Sequence, residues 1–366
     1  MLGGCSRRAI AQRDLASDGY TDVVLTEKSK TSFDFTAKNA SSQHCAGTIS
    51  VHGRDSTVTV TCNDVCTSAE WSKCFSMGLA AVKSDPESST KYYVTGCEAG
   101  DTSSCTNAGV AYDKGIGVPK DEAKSFTYDK KACDGGDAQG CVNVAIDYAL
   151  GEGTAKDPAA AYTAASTACD KNLMVGCTQV GRSLVLGEGV AADPTRGVSV
   201  LDRACTGDVK ACGSLGIYLV EGLHGVPRDA VRGQSLLEGA CAKDDANACG
   251  NLGFYYLKKM LVDPTNTKGA DYLTKACDKN DGTGCNSLGY ATENGLLGLT
   301  RDRTKAFGFY ERGCDAGEEL ACRNAGVFLE HGLGVPKDLE KALAAYDKGC
   351  KLGDAKSCTN QSRIKL

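Results

Sequence analysis

The chain has 366 residues, 42% of them hydrophobic and 21 of them cysteine, with a formal net charge of −5 and a pI near 5.5. This acidic balance argues against a nucleic-acid partner, which calls for a basic patch, and no stretch approaches the roughly 18 apolar residues of a membrane span. Cysteines in such number, if paired, are difficult to keep oxidised in a reducing cytosol, which points to the periplasm or the cell surface.

Residues 1–28 read as a tether, polar and mixed in charge from residue 6 onward. They hold Cys5, the one cysteine that the pairing set out below leaves over, and an odd cysteine marks a free or modified thiol. Leu2-Gly3-Gly4-Cys5 resembles the lipobox of a bacterial lipoprotein signal peptide, although the apolar stretch that precedes a lipobox is missing. The resemblance implies an acyl anchor on Cys5, and Ser6 after it implies the outer membrane. Residues 29–65 turn to strict alternation, Ser32–Lys38, Cys45–Val51 and Ser56–Cys62, with Gly53-Arg54-Asp55 between the last two runs. Period-two runs around a turn predict an antiparallel hairpin or a three-stranded sheet, an N-terminal cap that places Cys45 opposite Cys62 as a disulfide pair.

From residue 66 to 358 the cysteines keep a rhythm. Cys66/Cys74, Cys97/Cys105, Cys133/Cys141, Cys169/Cys177, Cys205/Cys212, Cys241/Cys249, Cys277/Cys285, Cys314/Cys322 and Cys350/Cys358 are mostly eight apart, and from Cys97 the first of each pair recurs every 36 residues, with one step of 37. A fixed period of this size means a stacked array of one supersecondary unit. Residues eight apart in a continuous helix are about 12 Å apart. A disulfide needs Cα atoms roughly 4.4–6.8 Å apart, so bonded pairs require the chain to reverse between them. Turn sequences such as Asp134-Gly135-Gly136-Asp137 stand at that point. Ten residues after most second cysteines comes a glycine (Gly115, Gly151, Gly187, Gly222, Gly295, Gly332), the usual left-handed helix terminator. Twelve residues before the next cysteine comes an aspartate (Asp121, Asp157, Asp193, Asp229, Asp302, Asp338), which reads as an N-cap, with Pro158 and Pro194 at first-turn positions. One unit is therefore helix A, a glycine turn, helix B and a disulfide-closed turn. Eight such units fill residues 66–358, and residues 359–366 are a short polar end cap. The unit from Cys249 is irregular, with Lys259 at the glycine position and Asp263 fourteen residues before Cys277.

The pattern Cys-x-Asn-x-Gly, Gly-x-Gly-Val-x-x-Asp, (Lys/Arg)-Ala and a second cysteine, nearly complete over residues 322–350, resembles Sel-like repeats, relatives of the tetratricopeptide repeat. It is most similar to the disulfide-rich branch typified by the cysteine-rich Helicobacter proteins. The resemblance covers about residues 66–366 and implies a mostly α chain, a right-handed α/α solenoid of helical hairpins with one disulfide per repeat. It also implies a non-catalytic scaffold or assembly factor in a bacterial envelope complex, with a protein or extended peptide as partner.

Two residues after the helix-A cysteine stands a polar ladder: Asn107, Asn143, Gln179, Ser214, Asn251, Ser287 and Asn324. By likeness to tetratricopeptide arrays it lines the concave groove and binds the partner; as a purely structural feature it bonds within its own repeat. Tyr112, Tyr148, Tyr218, Phe254 and Phe328 on helix A, and Tyr128, Tyr162, Phe307, Phe309 and Tyr346 on helix B, are expected in the core. No cofactor and no metal site are expected, since His44, His52, His224 and His331 stand at no ligand spacing and Cys62-x-x-x-Cys66 has no second half. Relatives of the Helicobacter branch are linked to penicillin binding and weak β-lactam hydrolysis, and Ser88-Ser89-Thr90-Lys91 matches Ser-x-x-Lys. The Ser-Asp-Asn and Lys-Thr-Gly partners of that motif are missing, so this enzyme class is the alternative, beside a secreted host-interacting effector.

Overall fold

The computed structural model describes residues 11–12, 15–16, 21–29, 32–38, 44–52, 55–63 and 71–365; Cys5 and Cys66 lie outside them. Four strands form one antiparallel meander, β1 (Thr21–Ser29), β2 (Ser32–Lys38), β3 (His44–His52) and β4 (Asp55–Asn63), in that order across the sheet. The fourth strand, β1, corrects the expectation of two or three, because it falls mostly in the segment read as a tether. Its alternation is masked by the adjacent Val23, Val24 and Leu25, yet the pleat separates the last two, Leu25 being 5% exposed and Val24 62%. Cys45 stands opposite Cys62 in the β3–β4 register.

Helices follow in hairpins. The A helices are α1 (Trp71–Ala81), α3 (Thr102–Lys114), α5 (Ala138–Leu150), α7 (Met174–Leu186), α9 (Val209–Glu221), α11 (Ala246–Leu257), α13 (Gly282–Asn294) and α15 (Glu319–His331). The B helices are α2 (Pro86–Glu98), α4 (Glu122–Asp134), α6 (Pro158–Asp170), α8 (Pro194–Ala204), α10 (Ala230–Ala242), α12 (Lys268–Asp278), α14 (Arg303–Asp315) and α16 (Leu339–Lys351). The segment expected as a polar end cap forms the second half of a further helix, α17 (Ala355–Lys365). From α1 to α4, and again from α6 to α17, each helix packs on the one that follows it.

Aspartate starts both kinds of helix. Asp121, Asp193 and Asp338 each accept the amide three residues on at about 3.0 Å, as expected for the B helices. Unforeseen are the caps of the A helices: Asp101, Asp137, Asp245 and Asp354 do the same for Ser104, Gly140, Ala248 and Ser357. In the irregular unit Asp263 reaches further, accepting from Thr267 and Lys268 at 2.7 and 2.8 Å, which absorbs the longer spacing before Cys277. Helix A ends on a glycine in the left-handed region, Gly115 at φ 68° and Gly332 at φ 68°, where a side chain would clash with the following carbonyl. Lys259 holds that conformation without glycine, at φ 59°.

The hairpin core obeys one volume rule. Four residues after the helix-A cysteine sits a glycine, and four before the helix-B cysteine sits the side chain that fills its space. A methyl on Gly181 would come within 2.7 Å of Leu201, and one on Gly216 within 2.7 Å of Leu237; Gly289 and Gly326 likewise receive Tyr310 and Tyr346. Tyr310 and Tyr346 are 1% and 0% exposed. The buried aromatics thus include Tyr255 and Tyr310, each one residue on from Phe254 and Phe309, which the sequence pattern favoured and which are only half-buried.

The chain forms two compact units, residues 1–143 with 152–154, and residues 144–151 with 155–366. In the first, Cys97–Cys105 and Cys133–Cys141 are disulfides with Cα separations of 4.5 and 4.4 Å, and Cys74 is disulfide-bonded. Here the volume rule takes a polar form, because Asp129, 3% exposed, fills the place beside Gly109. In the second unit Cys169–Cys177, Cys205–Cys212, Cys241–Cys249, Cys277–Cys285, Cys314–Cys322 and Cys350–Cys358 are disulfides, with Cα separations of 4.4–4.8 Å.

Candidate interaction surface

The seven ladder positions do not share one environment. In the first unit Asn107 donates to the Ser103 carbonyl at 2.8 Å, within its own helix. Asn143 donates to Asp129 at 2.8 Å and accepts from Gln139 at 3.0 Å, so its amide satisfies the buried carboxylate. In the second unit Asn251 donates back to the Asn247 carbonyl at 2.8 Å, and Asn324 donates to the Asn286 side chain of the preceding repeat at 2.9 Å. Ser287 is 7% exposed. Gln179 and Ser214 remain half-exposed, and each lines an open depression.

The two depressions adjoin at Arg182. One, about 270 Å³, lies among Ile146, Ala149, Leu150, Ala165, Gln179 and Arg182. The other, about 360 Å³, is formed by Arg182, Lys210, Ser214, Ile217, Tyr218, Asp245 and Asn247. Arg182 and Lys210 are exposed and make no ion pair among the described residues. Asp245 is committed to the amide of Ala248 at 3.1 Å. Burial pushes the Tyr218 hydroxyl up, against the opposing pull of the Arg182 guanidinium. Ile146 and Leu150 are 39% and 61% exposed on the apolar side. Together the two depressions form an amphipathic groove whose lining carries two cations, Arg182 and Lys210, and two acids, Glu188 and Asp245.

The residue directly after the helix-A cysteine carries a function that the sequence pattern did not flag, namely tying repeats together. Thr106 donates to Asp137 at 3.0 Å, Thr178 to Asp208 at 2.6 Å, and Arg323 to Asp354 at 2.7 Å, each acceptor being the N-cap of the next helix A. A second tie runs along the B helices: Lys275 and Arg312 donate to the carbonyls of Cys241 and Cys277 one repeat back, the favourable placement of a cation at a helix C-terminus. Arg203, at the same position, instead lies 2.9 and 3.4 Å from the sulfurs of Cys169 and Cys177. The signal was present as recurrent Asp and Lys/Arg at fixed offsets, but partners thirty residues away are invisible to a local reading.

Ser88 and Lys91 lie on α2 without a shared site. The Ser88 amide donates to the Asp85 cap at 3.1 Å, while Lys91 pairs with Glu87 at 2.8 Å, and that bond raises the Lys91 pKa, the wrong direction for a general base. Among the described residues there is no cluster of His, Cys, Asp and Glu suited to a metal and no helix long and apolar enough to cross a membrane.

The profile of the Sel1 repeat matches residues 69–101, 102–137, 209–245, 246–281, 283–318 and 320–354, more than half of the chain. The chain belongs to the Sel1 repeat family. It is a mostly helical solenoid of Sel1 hairpins with a disulfide in each repeat, and proteins of this family generally serve as protein-interaction scaffolds and are generally non-catalytic. Among solved structures, a Sel1 repeat protein from Oxalobacter formigenes is 18% identical, with a TM-score of 0.60 over 81% of this chain and 87% of its own. A protective antigen of uropathogenic Escherichia coli strains displaying an SLR fold is 24% identical, with a TM-score of 0.56 over 81% of this chain; the chain spans 65% of that protein's length. Helicobacter pylori cysteine rich protein B is 28% identical over 34% of this chain and 95% of its own, with a TM-score of 0.30. Comparison with curated protein sequences finds no match. The Sel1 segments leave out residues 138–208, the hairpins that carry Ile146, Ala165, Gln179 and Arg182.

Proposed function

We propose that this Sel1 protein is a non-catalytic scaffold or assembly factor of a bacterial cell envelope, exported to an oxidising compartment, held to the outer membrane by a lipid on Cys5, and binding an extended segment of a partner protein along its A helices. The observation that carries the reading is the groove around Arg182, where two cations without an ion pair among the described residues adjoin an open apolar surface in an otherwise acidic chain. Interaction surfaces combine apolar anchors with a charged rim in this way. The disulfides support the compartment, because bonds of this number persist where thiols are not continuously reduced. Anchoring is supported by Cys5 standing within Leu2-Gly3-Gly4-Cys5 and by its being left over from the pairing scheme.

Affinity capture from detergent-solubilised envelope membranes tests the scaffold, comparing wild type with Arg182→Glu/Lys210→Glu. A partner retained by wild type and lost from the variant is the expected result; equal recovery by both removes the groove from the binding surface. Metabolic labelling with a palmitate analogue tests the anchor, with label expected on wild type and absent from Cys5→Ser. Unlabelled wild type would leave an unanchored scaffold.

A further inference from the structure

One hairpin breaks the volume rule of the array. Where the neighbouring repeats set Gly181 against Leu201 and Gly216 against Leu237, α5 and α6 carry Ala145 and Ala165 at the corresponding positions, both 1% exposed and both lining one depression. The pair of alanines carries two methyls in place of the four side-chain carbons of leucine. Both alanines line the 270 Å³ depression, together with Ile146, Ala149, Leu150, Gln179 and Arg182. The alanines themselves stay covered, at 1% exposure, and form the base of the depression while Ile146 and Leu150 open it to the surface. Residues 138–208 are also those that the Sel1 segments leave out.

We infer that this cavity is a subsite for one aliphatic side chain of an extended peptide whose nearby carboxylate is held by Arg182 and Lys210. The chemistry of the partner follows from the two halves of the groove. An aliphatic side chain fills an apolar recess of this size, and a carboxylate neutralises two cations that have no ion pair among the described residues. Two acids also line the depressions, Asp245, which accepts the Ala248 amide as the α11 N-cap, and Glu188; neither forms an ion pair with Arg182 or Lys210 among the described residues. A basic peptide is disfavoured by the same cations. The inference rests on the scaffold reading above and specifies what the partner presents.

The test is fluorescence polarisation of the full chain with labelled glycine-serine peptides carrying one leucine and one aspartate at graded separations, beside matched peptides with glycine for the leucine or asparagine for the aspartate. Binding is expected to require both residues, to weaken with salt, and to fall roughly tenfold when either is replaced. Ala145→Gly/Ala165→Leu restores the glycine–leucine pairing of the adjacent hairpins, so it should fold with an equal or higher Tm and lose the leucine-dependent affinity. If that variant does not fold, Arg182→Gln/Lys210→Gln reads the carboxylate half, with the aspartate and asparagine peptides expected to become equivalent. Absence of binding by every leucine–aspartate peptide, or undiminished binding by the folded double variant, overturns the subsite. Partner capture separates the two levels: a partner recovered equally by wild type and the double variant sinks the subsite and leaves the scaffold, whereas no partner from either sinks the scaffold itself.

Discussion

Replacing Arg323 by methionine should loosen the last helix of the array and make its stability depend less on pH. The guanidinium donates to one oxygen of Asp354 at 2.7 Å, while the other oxygen accepts the Ser357 amide and hydroxyl at 2.7 and 2.6 Å. The side chains are 22% and 8% exposed. A hydrogen bond to a charged group is worth about 1.5–3 kcal/mol, and breaking a fully buried pair costs about 3–5 kcal/mol. Because Arg323 is about one-fifth exposed, water reaches the orphaned oxygen, and the lower range applies: about 2 kcal/mol at neutral pH. Burial pushes the Asp354 carboxyl up, but the Ser357 hydroxyl and amide together with Arg323 outweigh it and hold the group below the usual carboxylate range. A folded-state pKa below the unfolded value stabilises above the ordinary aspartate value of about 3.9, and the contribution is lost as pH falls through the lowered one. Amide hydrogen exchange of residues 355–365 reads this directly, since exchange reports the local opening of that helix. Protection there should drop by about thirtyfold at neutral pH, and the gap between wild type and variant should close in acid. Unchanged protection at neutral pH, or a gap that persists undiminished below the carboxylate range, would refute the inter-repeat role assigned to this pair.

Leu237→Ala removes a fully buried side chain from beneath Gly216 and should cost about 3 kcal/mol in urea unfolding, a loss below about 1 kcal/mol being inconsistent with the volume rule. Asp338→Ala should cost about 1 kcal/mol through the amide of Lys341, whereas Asp338→Asn should retain most of the wild-type stability; an equal loss in both variants would mean that capping is not its role. Arg203→Met should slow dithiothreitol reduction of Cys169–Cys177 roughly tenfold, because the guanidinium at 2.9 Å favours the thiolate that leaves. Differential alkylation followed by peptide mapping measures it, and equal rates in both proteins would remove that influence.

The repeat fold was legible because its punctuation is local. A cysteine pair eight apart, a glycine after helix A and an aspartate before helix B each act within a few residues, so spacing alone places them. The ladder was not legible, because the fate of an amide depends on what faces it. Asn143 meets a buried Asp129 and Asn324 meets Asn286, while Asn107 and Asn251 fold back on their own helices. The choice between Phe254 and Tyr255, or Phe309 and Tyr310, failed for a related reason. Adjacent aromatics differ by only about 100° around a helix, and the tyrosines go inward with hydroxyls held by Glu221 and Glu293 at 2.6 and 2.9 Å.

The volume rule adds a criterion that the cysteine rhythm lacks. A repeat array needs each hairpin to close on its neighbours, and a glycine facing one large side chain achieves this in most units. Departures from that pairing are therefore where the chain has spent sequence on something other than closure. Asp129 is one, and its carboxylate is answered internally by Asn143 and by Ser125, whose hydroxyl lies 3.4 Å away, so it remains a core device. Ala145 with Ala165 is the other, and both line the open depression beside Arg182. Two exceptions to one packing rule thus separate by what lies beside them: polar side chains of the same unit answer the Asp129 carboxylate, whereas the alanine pair borders the depression proposed above as a subsite.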